Sequence, residues 1–203
     1  TLVFLALVNL VDVRSSDTAE WRQYSLLLFI AMIFCSVGDF LMAGVFYITP
    51  IRLLNGVLMF GLGHVFYLLA LKNISPLIFE TSTRNVITRN LIVWVSCIVA
   101  VLILFFFTVF NPSMIELSVG ILGYGILLVT VIAFAITKWF NSYTLTFRVA
   151  LPLGFLLFLF SDWLIGVHTM TDPTFLSGPW VGVTYIIGLI LVHLTPLFGS
   201  RMS

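Results

Sequence analysis

Apolar runs of about 20 residues, the length a helix needs to cross the hydrocarbon core of a bilayer, recur along the whole chain between short polar joints. They predict helical spans near 1–13, 24–48, 51–71, 90–110, 115–139, 147–169 and 179–198. The joints carry turn and breaker residues: Ser15-Ser16-Asp17, Thr49-Pro50, Ser75-Pro76 through Arg89, Asn111-Pro112-Ser113, Asn141-Ser142, and Asp172-Pro173 with Gly178-Pro179. The first run is too short to span and starts without Met, so the rest of that helix, and one helix before it, are expected upstream of Thr1. A signal peptide is not indicated, because the run has no basic leader and no small-residue cleavage site. The pattern therefore predicts an all-α integral membrane protein, a polytopic bundle of about seven helices forming one domain over residues 1–203.

Composition agrees, since 61% of the 203 residues are hydrophobic and only 8% are charged, against about a quarter charged in soluble domains. The net charge of +1 and the lack of any Lys/Arg-rich run exclude a nucleic-acid-binding face. Cys35 and Cys97 both fall inside apolar stretches and read as buried free thiols. The basic residues set the orientation. Arg14, Arg22, Lys72, Arg84, Arg89, Lys138, Arg148 and Arg201 fall on one side of the predicted spans, and Arg52 alone on the other. The positive-inside rule then places the first, third and fifth joints and the C-terminus in the cytoplasm.

An ionisable group at mid-bilayer costs at least about 2.5–3.5 kcal/mol, so each one asks for a reason. Asp39, Asp162, His64 and His193 are the four. Asp39 and Asp162 sit on helices that start on the same side, and each lies roughly 21–23 Å from its cytoplasmic end at 1.5 Å per residue. Equal depth on parallel helices allows both carboxylates to face a shared cavity. Their surroundings repeat: Gly38-Asp39-Phe40-Leu41 parallels Ser161-Asp162-Trp163-Leu164, which suggests a parallel duplication of a four-helix unit, an arrangement that often places a site at the repeat interface. Two nearby carboxylates in a low-dielectric pocket cannot both ionise cheaply, so one keeps its proton near neutrality and stands as a general acid beside a general base.

Other groups converge less directly. Gly56, Phe60, His64 and Tyr67 share one helix face, but His64 lies about 10 Å from the aspartate level, so direct contact requires tilt or a long cavity. His193 has a similar depth, and a hydrogen bond between helices is its simplest role. Tyr124, after Gly120 and Gly123, and Tyr185, after Gly182, can aim hydroxyls at a central site. Trp21, Trp139 and Trp180 sit at helix ends and read as an interfacial aromatic belt. No nucleotide loop, nucleophile elbow or H-E-x-x-H zinc helix occurs. Val37-Gly38-Asp39 lacks the partner signatures of an intramembrane aspartyl protease.

The ordered set Gly38-Asp39 with Leu41, Gly56, Phe60, Gly63-His64, Tyr67, Tyr124, and Gly154, Phe158, Ser161-Asp162 resembles the lysoplasmalogenase family of YhhN-type membrane proteins over nearly the whole chain. The resemblance implies an eight-helix fold with one helix before Thr1, and hydrolysis of the vinyl ether bond of lysoplasmalogens to an aldehyde and a glycerophospho-alcohol. It carries the family's aspartates over to Asp39 and Asp162 as catalytic residues. His64, Tyr67, Tyr124, Tyr185 and Ser161 are then expected to bind the lysophospholipid substrate. The chain departs from the family near Leu189, where Gln is usual, and after Tyr124, where Met is usual. The chemistry requires neither metal nor other cofactor: protonation of the vinyl β-carbon gives an oxocarbenium ion that water attacks, a task suited to paired carboxylates. The membrane would be the endoplasmic reticulum in a eukaryote and the cytoplasmic membrane in a prokaryote. Two other classes use the same residues, a proton-coupled transporter and a metal-dependent lipid hydrolase that recruits Asp39, Asp162, His64 and His193 as ligands.

Overall fold

The computed structural model describes residues 2–14, 19–74, 84–140, 143–175 and 178–199. All regular structure among them is helical: α1 (Leu2–Arg14), α2 (Ala19–Met42), α3 (Arg52–Asn73), α4 (Arg84–Thr108), α5 (Ile115–Thr137), α6 (Leu145–Met170) and α7 (Gly178–Gly199), with 3-10 turns at Pro112–Met114 and Lys138–Phe140. Six of these seven helices are long and apolar enough to cross a membrane; α1, of 13 residues, is not.

Helix ends depart from the apolar runs where polar first turns join a helix or where backbone geometry stops one early. At the start of α2, Ala19 to Arg22 are helical, with Glu20 in the first turn, where the helix dipole favours an acid. Likewise α4 begins at Arg84, inside what reads as a polar joint. In contrast, α2 stops at Met42 although Val45-Phe46-Tyr47-Ile48 prolongs the apolar run, because the chain turns through Gly44 at φ 76°, a left-handed conformation suited to glycine. Thr144 caps α6 by accepting from the Phe147 N–H at 3.2 Å. Asn111 caps the turn before α5 by accepting from the Ser113 N–H at 3.0 Å.

Packing runs α1 to α2, α2 to α3, α3 to α5, α5 to α6, α6 to α7 and α7 back to α1, which closes a ring; α4 lies outside it against α5. Little of α4 is buried beyond Asn90, Val101 and Phe105, while Ile92, Val99, Ile103 and Phe107 are exposed. An apolar surface of that extent is tolerable in lipid and not in water. Small residues set the close crossings. A methyl group added at Gly154 of α6 would come within 2.8 Å of the Gly188 carbonyl on α7, and one at Gly63 of α3 within 3.2 Å of the Ala31 carbonyl on α2, as expected where helices in lipid associate through backbone approach.

The order of the helices places Lys72, Arg84, Arg89, Lys138, Arg148 and Arg22 at one end of the bundle and Arg52 at the other, while Arg201 lies outside the described residues. Hydrogen bonds tie each end. At the basic end the Tyr143 hydroxyl donates to the Ile74 carbonyl, and Thr144 Oγ1 donates to the Phe198 carbonyl at 3.0 Å. At the opposite end Asn111 Nδ2 donates to the Met170 carbonyl at 2.6 Å. Trp21 is not part of a lipid-facing belt: its ring stands edge-on to Tyr24, Tyr143 and Phe147, whereas Trp139 and Trp180 are exposed at helix ends. Cys35 is buried and Cys97 half-buried, both free.

Asn73, the last residue of α3, belongs to the sequon Asn73-Ile74-Ser75 at the basic end. With that end in the cytoplasm, Asn73 is expected to stay unmodified when the protein is made in a glycosylating cell, and a glycan found there by mass spectrometry would invert the orientation.

Candidate functional site

Both aspartates are approached by a tyrosine from another helix. On α6, Asp162 Oδ2 accepts a 2.5 Å hydrogen bond from the Tyr124 hydroxyl of α5. On α2, Asp39 Oδ2 accepts a 2.9 Å bond from the Tyr185 hydroxyl of α7. Both helices run the same way, so both acids lie toward the end that carries Arg52. Asp39 is three residues from the end of α2 and exposed on the surface of the chain, whereas Asp162 is eight residues from the end of α6 and half-buried.

A cavity between α3, α4, α5 and α6 holds Asp162 in its wall and contains about 720 Å³ of free space, counting its open side. Leu53, Val57, Phe60, Phe105 and Trp163 make much of the lining, and Asp162 and Tyr124 are the lining residues with titratable groups. A carboxyl in so apolar a wall, held by one hydroxyl donor, keeps an acceptor oxygen for another partner.

The two acids do not open into this one chamber, contrary to the expectation of a shared cavity, because Asp39 and Tyr185 lie outside its lining. Phe60 provides the physical reason. Its ring lines the cavity on one side and packs against Gly38 on the other, where a methyl group would approach it to 2.9 Å. Phe60 also stands edge-on to Phe158 and Tyr185, with centroids at 6.1 and 6.3 Å. This aromatic layer lies between the cavity and the Asp39–Tyr185 pair.

His64 reaches neither acid. Its Nδ1–H donates to the Phe60 carbonyl at 2.7 Å, which fixes the tautomer and leaves Nε2 as an acceptor, buried and without a partner in the protein. Its ring packs on Phe158, with centroids 4.8 Å apart, and edge-on to Tyr124 at 5.5 Å. The histidine therefore positions the tyrosine that holds Asp162. Tyr67 lies deeper, its ring edge-on to His64 with centroids 5.6 Å apart, and its hydroxyl is bonded to His193 Nε2 at 3.2 Å, a buried contact nearer the basic end. Ser161 is fully buried beside Asp162 and its hydroxyl has no protein partner. Among the described residues no three His, Cys, Asp or Glu side chains are grouped so that they could hold a metal ion.

Sequence reading missed the part of the site built by α4. Val101, Leu104 and Phe105, with Val109 just past its end, complete the cavity wall, yet beyond its polar first turns that helix is almost wholly apolar and no pattern in it distinguishes a cavity-facing side. Trp163 was visible only as the aromatic after Asp162. In the fold its indole N–H donates to Thr108 Oγ1 at 2.9 Å, which holds the ring in the wall.

Comparison with protein-family sequence profiles matches residues 1–195 to the YhhN family. A search of curated proteins finds no match to this chain, and a search of solved structures finds none either. With nearly its whole length matched, the chain belongs to the YhhN family, the family of lysoplasmalogenase.

Proposed function

We propose that the protein is an intramembrane hydrolase that cleaves the vinyl ether bond of lysoplasmalogens by acid–base catalysis at Asp162 and Asp39. The observation that carries the reading is the carboxyl of Asp162, held by Tyr124, in the wall of an otherwise apolar cavity inside the bilayer. A hydrocarbon chain fits such a lining, and a carboxylic acid beside it can protonate the carbon to which that chain is attached.

In the proposed reaction the Asp162 proton passes to the vinyl β-carbon, and the π electrons form the new C–H bond. The positive charge is then shared by the α-carbon and the ether oxygen, facing the Asp162 carboxylate. Water adds to the α-carbon and loses one proton to a carboxylate. The hemiacetal collapses to an aldehyde and the glycerophospho-alcohol, whose oxygen takes up the remaining proton. Asp39 lies on the exposed side of Phe60, one turn from the end of α2. It is proposed as the partner for the water step, taking the proton through a bridging water that passes the edge of the Phe60 ring.

Purified protein in detergent or nanodiscs, given a lysoplasmalogen, is expected to release aldehyde and to leave the saturated alkyl-ether analogue intact. Chelators are expected to leave the rate unchanged. Failure to release aldehyde would remove the hydrolase reading, and substrate-driven proton flux into liposomes without hydrolysis would favour a transporter. Inactivation by chelation that added zinc restores would favour the metal-dependent alternative.

A further inference from the structure

Among the described residues Arg52 is the one Lys or Arg at the end of the bundle where both acids lie, with His168 near the end of α6 there as well. The positive-inside bias leaves a lone cation on that side without a topological role, and the loop around it is built in detail. Asn55, fully buried, accepts from the Thr49 N–H at 2.7 Å and donates from Nδ2 to the Thr49 carbonyl at 2.8 Å, which fixes the chain just before Pro50. The Arg52 guanidinium donates to the Tyr47 hydroxyl at 3.2 Å and lies 5.8 Å from the centre of the Tyr47 ring. Gly44, at φ 76°, lies under both groups: a methyl group there would meet the Tyr47 hydroxyl at 2.8 Å and the Arg52 Cζ at 3.1 Å. Arg52 is exposed, and the side chain it meets is that of Tyr47.

This cation lies next to the wall of the cavity that holds Asp162. Leu53, the next residue, lines the cavity, as does Met42, two residues before Gly44. Leu53 packs in one apolar cluster with Val109, Val167 and Met170, so the start of α3 is level with the end of α6. Asp162 lies eight residues back along α6, about 12 Å deeper at 1.5 Å per residue. In a lysoplasmalogen the phosphorus and the vinyl β-carbon are separated by roughly seven covalent bonds, on the order of 9 Å when extended. A guanidinium at the start of α3 and a carboxyl at that depth span this separation once a hydrogen-bond length is added at each end.

From these placements we infer that Arg52, set by Tyr47 and Gly44, binds the phosphodiester of a single-chain lipid whose hydrocarbon part enters the cavity toward Asp162. The headgroup thus sits at the membrane face opposite the basic ends, and a planar guanidinium supplies paired donors to phosphate oxygens. The inference rests on the lipid-hydrolase reading for the identity of its ligand, but its test is binding and not turnover.

The probes are a 1-O-alkyl lysophosphatidylcholine, whose saturated ether cannot be cleaved by vinyl protonation, and the matching 1-O-alkylglycerol without phosphate. Wild-type protein in nanodiscs is expected to bind the phosphate-bearing lipid about tenfold or more tightly, as a charge-assisted contact allows. In Arg52→Met that preference should shrink to about twofold or less, and Arg52→Lys should keep part of it. Both variants are scored on monodisperse protein, and the ratio of the two affinities cancels any general loss of binding. A wild type without the preference, or an Arg52→Met that keeps it, would overturn the assignment even if the protein releases aldehyde. The preference would stand even if no aldehyde is ever released. Millimolar inorganic phosphate should not displace the lipid; complete displacement would reassign Arg52 to free phosphate.

Discussion

Asp162→Asn is expected to reduce aldehyde release by about 10²–10⁴-fold, the usual cost of removing a general acid or base, while the protein still folds and inserts. Asparagine keeps the shape of the side chain, and its amide oxygen can still accept the bond that Tyr124 donates to Asp162 Oδ2. What it loses is the ability to give a proton to carbon or to carry the charge that faces the oxocarbenium ion. Asp39→Asn should fall in the same range if Asp39 takes the proton from water, with the Tyr185 contact kept by the amide in the same way. Tyr124→Phe is a graded probe beside them: it removes one donor from a carboxylate, a contact worth about 1.5–3 kcal/mol when charged, so activity should drop by roughly 10–100-fold. Full activity in either asparagine variant, measured on protein with wild-type helical content, would show that its carboxyl is not part of the chemistry.

The largest structural effect is expected at the crossing of α6 and α7. A side chain at Gly154 would meet the Gly188 carbonyl at 2.8 Å and the Val192 N–H at 3.1 Å, and one at Gly188 would meet the Gly154 carbonyl at 2.7 Å. These are backbone atoms, so no side chain can rotate away and the helices themselves must separate. Gly154→Val and Gly188→Val should therefore each destabilise the bundle by about 1–3 kcal/mol or more, the range for overpacking a close-packed interior. Gly123→Ala and Gly182→Ala provide the contrast, since a methyl group at either position has nothing within 4 Å. Unfolding in detergent should show lower midpoints for the two valine variants and near-wild-type midpoints for the two alanine variants. The crossing also matters to the site, because α6 carries Asp162 and α7 carries the tyrosine that holds Asp39. Retained stability in Gly154→Val would mean that the two helices do not approach as closely as described.

Much of this arrangement was legible in the sequence because lipid leaves few ways to satisfy a backbone or bury a charge. Apolar runs located the helices, the basic residues ordered their ends, and two isolated acids on parallel helices marked the end of the bundle where the candidate site lies. What was not legible depended on side-chain direction and backbone turns. Gly44 ends α2 in the middle of an apolar stretch, which hydropathy cannot register. That early end leaves Asp39 near the surface of the chain instead of deep in the bundle. Phe60 looked like one residue of an aromatic face, but only the packed structure shows it dividing the two acids through its contact with Gly38. Tyr67 and His193 were assigned singly because nothing in a sequence reveals that residues 126 positions apart share a hydrogen bond. The role of α4 stayed hidden for the opposite reason, since beyond its polar first turns it is almost wholly apolar. Arg52 drew notice in the sequence only as an exception to the charge rule, and Tyr47 and Gly44 beside it give that exception a location.

A proton delivered to carbon is the central step of the proposed reaction, and isotope labelling reads it directly. Purified protein is incubated with a lysoplasmalogen in D₂O, the aldehyde is trapped by immediate reduction, and deuterium is located by mass spectrometry and NMR. Acid catalysis at the vinyl ether predicts one deuterium on the carbon next to the former aldehyde carbon, appearing at the rate of product release and lost together with activity in Asp162→Asn. Aldehyde that carries no solvent deuterium at that carbon, or label and turnover that survive in Asp162→Asn, would contradict the mechanism proposed for this cavity.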